Sequence, residues 1–379
     1  MRARSVRAVI IVVKIGTSSV TTAEGLINHE AVERLSREVG SVRREGHDVV
    51  LVSSGAVTAG VATLRPDGGR PTDAITLQAL SAVGQPRLMR VYDDALQKEG
   101  LIAAQVLLVP NDFGERRQYL HARATLLRLL ELGVVPVVNE NDALADDEIR
   151  FGDNDRIAAL VANLIGAELM VLLTDTPGLY DQDPRYAQDA LLVEEVVEFD
   201  DALERAAGGP GSANSSGGMA SKVAAARIAS WSGVRVVIAK SDRPSVVVDA
   251  MHGVPGVGTV IAAKDRRIPA RKLWIAFALP ASARVSVDAG AALALVERDA
   301  SLLLAGVHGC TGEFSVGDAI EIEDLSGNVF AKGIARRSSG DVTALLGAGG
   351  GSRGRRESGE LIHRDDLVVL LGAIAQRMS

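Results

Sequence analysis

The chain has 379 residues, 47% apolar and 23% charged, with only 3% aromatic residues and a formal charge of −7. That length exceeds what one core usually fills, so two domains are the default. The negative balance argues against a constitutive nucleic-acid binder and leaves small anionic substrates open. Cys310 is the only cysteine, which excludes an intrachain disulfide and favours a cytoplasmic setting.

Arg2, Arg4 and Arg7 ahead of Ala8 to Val13 imitate a signal peptide. The apolar run stops at Lys14 with no small-residue cleavage site, and no later run approaches the ~20 residues of a membrane span. Residues 8–13 read instead as a strand buried on both faces. A helix is predicted from Glu30 to Arg44, with Val32, Leu35, Val39 and Val42 on one face. Strand 49–52 ends in Ser53-Ser54-Gly55. A helical region over 72–99, a strand over 102–109, a helix over 115–132 and a strand over 134–138 follow.

The stretch Asn139 to Asp155 then holds three Asn and seven acidic residues. Carboxylates at this density repel, so it is either a solvated acidic loop or is gathered around a metal, lysines or a cationic ligand. A helix is predicted from Arg156 to Ile165, a strand from Leu169 to Leu173, a helix from Met219 to Ser232 and a strand from Val234 to Ile238. Alternation of this kind implies a mainly parallel sheet covered by helices on both faces. Ligands of such sheets gather at the carboxyl ends of the strands. Those ends here carry Lys14 and Gly16, Ser53-Ser54-Gly55, Asn139 to Asp142, and Thr174-Asp175. Polar residues thus converge on one rim.

After Ala263 the character changes. Lys264 to Lys272 is basic and reads as a linker. Short strands are predicted at 284–287, 302–307, 319–322, 329–334 and 367–371, separated by turn residues. This part is a small β-rich domain.

On the rim, Lys14 supplies a point charge and Gly16 room for a phosphate to approach. Ser216-Gly217-Gly218 opens a helix whose first turn carries Lys222. A lysine there opposes the helix dipole, and a bound phosphate would resolve that conflict; a solvent-facing lysine on a linker is the alternative. Two lysines with acids between them suit phosphoryl transfer, which requires aligned oxygens and neutralised charge. One carboxylate could hold both lysines and another could face Mg²⁺ through water. Asp112-Phe113-Gly114 and His363-Arg364-Asp365 imitate protein-kinase signatures in the wrong order, and chance explains them. His121 reads as a partly exposed helix residue, and Trp231, Trp274 and Cys310 as packing residues.

The motifs Val13-Lys14-Ile15-Gly16-Thr17-Ser18, Ser53-Ser54-Gly55-Ala56, Asn139-Glu140-Asn141-Asp142, Phe151-Gly152-Asp153-Asn154-Asp155, Leu173-Thr174-Asp175 and Gly217-Gly218-Met219-x-x-Lys222 together resemble the glutamate 5-kinases of the amino-acid kinase family. The tail, with Phe314-x-x-Gly317-Asp318 and His363-Arg364-Asp365-Asp366, resembles a PUA domain. The resemblance implies a mainly parallel α/β sheet sandwiched by helices over residues 1–263, a linker over 264–274 and a PUA-like domain over 275–379. It implies ATP-dependent phosphorylation of the γ-carboxylate of L-glutamate to glutamyl 5-phosphate, the first step of proline biosynthesis. By matching motif, Lys14, Gly16, Thr174, Asp175, Ser216, Gly217, Gly218, Met219, Ala220, Ser221 and Lys222 would bind ATP. Ser54, Asn139, Asp142 and Asn154 would bind glutamate. Lys14, Lys222 and Asp155 would be catalytic, with Asp155 orienting both lysines, and Asp153 would face Mg²⁺. Feedback by proline, a homo-oligomer (dimer or tetramer) and functional coupling to glutamyl phosphate reductase are implied as well.

Two departures stand out. Ser215-Ser216-Gly217-Gly218-Met219 replaces the usual Gly-Thr-Gly-Gly-Met, which costs a glycine's freedom in the nucleotide loop. Leu120-His121-Ala122-Arg123 replaces Leu-Asn-Ala-Arg, and no role is carried onto His121. A sister kinase with another carboxylate substrate is one alternative. The other is an RNA-associated regulator acting through the tail, but residues 275–379 hold ten Lys and Arg against thirteen Asp and Glu, the wrong sign for phosphate binding.

Overall fold

The computed structural model describes residues 8–64, 71–144, 154–182, 184, 187, 189–197, 199, 218–264, 269–277, 279, 281–347 and 359–370. The chain divides into two compact units, Met1–Arg267 and Ile268–Ser379.

In the first unit, apolar β-branched runs form β1 (Ile10–Ile15), β2 (Asp48–Ser53), β3 (Ala103–Leu108), β4 (Val135–Glu140) and β5 (Leu169–Thr174), followed by β6 (Glu195–Val196), β7 (Arg235–Lys240) and β8 (Thr259–Ile261). They make one sheet in the order β3-β4-β2-β1-β5-β7-β8-β6. All pairings are parallel except β7 with β8. The expected mainly parallel α/β sheet is therefore present. Strand β1 pairs with β2 on one side and β5 on the other, so the chain order switches direction there, which is where such sheets open a crevice.

The described helices are α1 (Thr17–Val20), α2 (His29–Arg44), α3 (Ala56–Leu64), α4 (Ala74–Lys98), α5 (Arg116–Glu131), α6 (Asn154–Ile165), α7 (Met219–Trp231) and α8 (Val246–His252). Helix α2 buries Val32, Leu35, Val39 and Val42 as its periodicity predicted, and Asn28 caps it by accepting from Ala31 N at 3.1 Å. Helix α4 starts where Asp73 accepts from Thr76 N at 2.9 Å. Periodicity did not reveal α3, because it is short and its core-facing residues are Ala56, Ala59 and Gly60. These small side chains let it cross α4 closely: a Cβ at Gly60 would overlap the Leu80 carbonyl, and one at Gly84 the Ala56 carbonyl.

Two boundaries near the site differ from expectation. Strand β4 continues past Val138 through Asn139 and Glu140, and α6 begins at Asn154 rather than Arg156. Polar residues extend these elements because their side chains find buried partners, which residue-type propensity does not record.

The second unit holds α9 (Ala270–Phe277), β9 (Ala283–Val287), α10 (Ala289–Arg298), β10 (Leu302–Leu303), β11 (Val307–Thr311), β12 (Ala319–Glu323), β13 (Val329–Ile334), α11 (Ser339–Gly347), β14 (Glu360–Ile362) and β15 (Leu367–Val369). Strands β11-β9-β12-β13-β15 form one sheet and β10 pairs with β14. Val285, Val287, Leu295, Phe314, Ile320, Ile322 and Phe330 are in its core. The single strand expected over 302–307 is two strands split by a 3-10 turn at Leu304–Gly306, since a continuous apolar run does not report a local change of direction. The segment read as a linker contains the start of α9.

Candidate active site

The carboxyl ends of β4, β2, β1 and β5 lie side by side. Three inter-strand steps cover roughly 14 Å, about the reach of a small acceptor plus a chain of phosphates. Lys14 comes from β1, paired in register with Val52 and Leu172. Its Nζ lies 2.6 Å from Asp155 Oδ1 in the first turn of α6, where the helix dipole also favours a carboxylate. Asp155 Oδ2 faces Lys222 Nζ at 3.4 Å and accepts from Ser221 Oγ at 2.7 Å. Lys14, Asp155 and Lys222 are 2%, 1% and 4% exposed, so each charge depends on the others. Burial alone would push the Asp155 carboxyl up. The two ammoniums, with hydrogen bonds from Lys14 and Ser221, outweigh that and hold it below the ordinary aspartate value. Burial pushes Lys222 below the ordinary lysine range; Asp155 opposes this, Lys14 adds to it and Asp175 opposes it weakly.

Gly16 caps α1 at φ −82°, a conformation open to any residue. What its lack of a side chain supplies is room, because a Cβ would stand 3.6 Å from Lys14 Nζ. Thr174 ends β5 and donates from Oγ1 to Asp175 Oδ1 at 3.1 Å. Gly218, Met219 and Ala220 lead into α7, and Ser221 Oγ also meets the Gly218 carbonyl at 2.8 Å. Ser216, Gly217 and Asp153 lie outside the described residues, as do Asp146, Asp147 and Glu148.

A second cluster adjoins the first. Asn154, the residue before Asp155, donates from Nδ2 to Ser54 Oγ and to Asn139 Oδ1, both at 3.0 Å. The Glu140 backbone N–H donates to Asn139 Oδ1 at 2.9 Å and Asn154 Oδ1 at 3.2 Å. Because that N–H cannot be anything but a donor, it settles which way both amides face. Gly55, at φ +108°, lets the chain turn just after Ser54. Asp142, in a 3-10 turn over Asp142–Leu144, accepts from Ser81 Oγ at 2.7 Å. Burial raises its carboxyl and the Ser81 hydrogen bond partly offsets that. Its second oxygen has no partner among the described residues.

The structure thus brings Lys14, Asp155 and Lys222 together, and Ser54, Asn139 and Asn154 together, with Asp142 on the turn after β4. Sequence reading missed the α4 contribution: Ser81 and Gln85, both buried, with Asn139 Nδ2 donating to Gln85 Oε1 at 2.7 Å. Their signal was available, as polar residues at positions 81 and 85 continue into Leu88, Tyr92 and Leu96 on one helix face. His121 is exposed on α5.

A helix start that ties two lysines to one carboxylate beside a cluster of amides and a hydroxyl defines a phosphotransferase-type site on a parallel sheet, and residues 9–240 match the amino acid kinase family. The chain belongs to that family. Residues 283–348 match the PUA domain. The chain is similar over nearly its whole length to curated glutamate 5-kinases. That of Caldanaerobacter subterraneus subsp. tengcongensis is 41% identical over 364 residues, covering 95% of this chain and 97% of the relative. Those of Marinomonas sp. (41%, covering 98% and 100%) and Delftia acidovorans (42%, covering 95% and 96%) are similar to the same extent.

Proposed function

We propose that the chain transfers the γ-phosphoryl group of ATP to the γ-carboxylate of L-glutamate, forming L-glutamyl 5-phosphate at the entry to proline biosynthesis. One observation carries the reading: consecutive residues at the start of α6 serve two clusters. Asn154 holds Ser54 and Asn139, while Asp155 holds Lys14 and Lys222. An acceptor pocket and a pair of phosphate-binding cations are thereby locked to one turn of helix.

The chemistry suits such a site. The acceptor carboxylate is already ionised at neutral pH, so the protein must neutralise charge rather than remove a proton. A γ-carboxylate oxygen forms the new bond to the γ-phosphorus as the bond to the β,γ-bridging oxygen breaks, and ADP leaves with that electron pair. Lys14 and Lys222 offset the negative charge on the moving phosphoryl oxygens. Asp155 holds both lysines in place. Ser54 donates to an acceptor carboxylate, and Asp142 faces the α-ammonium as a charge-assisted partner. Gly16, Thr174, Asp175 and the segment 216–222 line the nucleotide. Mg²⁺ accompanying ATP would meet Asp153.

Among the described residues no helix is long and apolar enough to cross a membrane. The proposal extends to a cytoplasmic homo-oligomer, inhibition by proline at or overlapping the glutamate pocket, and transfer of the labile acyl phosphate to glutamyl phosphate reductase. In this proposal residues 1–263 act as the kinase domain and residues 275–379 as the PUA-like domain. The test is turnover of purified protein with ATP, Mg²⁺ and hydroxylamine, which traps glutamyl phosphate as the hydroxamate. Product with glutamate supports the assignment. Turnover of aspartate or N-acetylglutamate without glutamate moves the chain to a sister kinase.

A further inference from the structure

The acceptor cluster does not end at Asn139. Gln85 Oε1 accepts from Asn139 Nδ2 at 2.7 Å, and Gln85 Nε2 donates to Gln105 Oε1 at 3.1 Å. Four amides on four elements therefore form one directional chain. Donation runs outward from the site: Asn154 on α6 donates to Asn139 on β4, Asn139 to Gln85 on α4, and Gln85 to Gln105 on β3. At its inner end Asn154 has spent both N–H groups, one on Asn139 and one on Ser54. Ser54 Oγ is consequently an acceptor within the cluster, and among the described residues its hydrogen has no acceptor. That hydrogen is therefore available to be donated onward to a bound acceptor.

We propose that Gln85 is a positioning residue for the acceptor pocket. It holds Asn139, and through Asn139 and Asn154 it makes Ser54 present its hydrogen to the carboxylate of the bound acceptor. This rests on the functional reading above. Gln85 is buried while Gln105 is exposed, so the chain runs from surface to site, and its core-side amides have fixed orientations because the Glu140 backbone N–H orients the two asparagines. Polarisation along such a chain strengthens each donor in turn.

The experiment compares Gln85→Met, which keeps the volume and deletes both hydrogen bonds, with Gln85→Glu, which keeps the acceptor Asn139 needs and to which exposed Gln105 can turn its amide. Gln85→Met should raise the KM for glutamate roughly 3- to 15-fold, the equivalent of one hydrogen bond. Its kcat and KM for ATP should stay within about twofold. Gln85→Glu should return the glutamate KM to within about threefold of the unmodified enzyme. In a double-mutant cycle with Ser54→Ala, Gln85→Met should add no further loss, since Ser54 is the route by which it acts.

An unchanged glutamate KM, equal rises in both KM values, or full additivity with Ser54→Ala overturns the proposal. If Gln85→Met does not fold, Gln105→Met at the exposed end carries the test: a glutamate-specific KM rise of about twofold or more supports the chain, and none overturns it. The two readings separate cleanly. An unmodified enzyme that does not turn over glutamate defeats the functional assignment, whereas an active enzyme indifferent to position 85 defeats only the relay.

Discussion

Asp155→Asn tests the centre of the site. The substitution keeps shape and removes the one negative charge between two buried ammoniums. At an effective dielectric near 20, the contacts at 2.6 and 3.4 Å correspond to gross attractions of about 6 and about 5 kcal/mol. Desolvation offsets most of this in the intact protein. Removing one partner of a buried pair nonetheless costs about 3–5 kcal/mol, because the remaining charge stays buried. For a unit of this size that is a fall in Tm of roughly 10 °C. One lysine should then lose its proton, and Lys222, already pushed down by burial, is the one expected to do so. With one cation lost, kcat should fall by about 10² or more, and further as pH rises through the newly lowered Lys222 value. ATP supplies the missing negative charge, so it should raise the Tm of the variant more than that of the unmodified protein. Calorimetry with and without nucleotide and steady-state kinetics across pH measure all of this. A variant with kcat within threefold and an unchanged Tm would refute the claim that this carboxylate holds the lysines.

Lys14→Ala and Lys222→Ala should each lower kcat by about 10²–10³, read in the hydroxamate assay; unchanged kcat in both removes them from the chemistry. Ser81→Ala deletes the hydrogen bond that offsets burial at Asp142, so the acid limb of kcat/KM for glutamate should move to higher pH. The sign follows from Asp142 having to be ionised to hold an ammonium: activity is lost as pH falls through its raised pKa. For stability the direction is opposite, because a raised folded pKa means stability declines as pH climbs from the ordinary aspartate value to the raised one. Gly84→Ala, whose Cβ would overlap the Ala56 carbonyl, should destabilise by about 1–3 kcal/mol or more. Thermal melts would show it, with a raised glutamate KM because α4 carries Ser81 and Gln85.

Much of the site could be read from residue order. Apolar β-branched runs such as 8–13 and 134–138 announced buried parallel strands, and parallel strands oblige their polar carboxyl ends to share one rim. Lys14, Ser54, Asn139, Asp142 and Thr174 fall on that rim by chain order alone. The conflict of Lys222 with the dipole of its own helix marked it as well. Local pattern alone accounts for these because each depends on hydropathy and chain direction, which sequence carries explicitly.

Tertiary structure alone decided who touches whom. Asn154 and Asp155 are neighbours in sequence, yet one serves a hydroxyl and an amide and the other two lysines. Only the packing of α6 against β1, β2, β4 and α7 separates those roles. Ser81 and Gln85 belong to a helix whose sequence reads as ordinary, and their polar character acquires meaning only when α4 brings them against Asp142 and Asn139. A hydrogen bond across 54 or 61 residues of chain leaves no local periodicity. Its partners are chosen by burial, which makes an unpaired amide costly wherever the fold puts it.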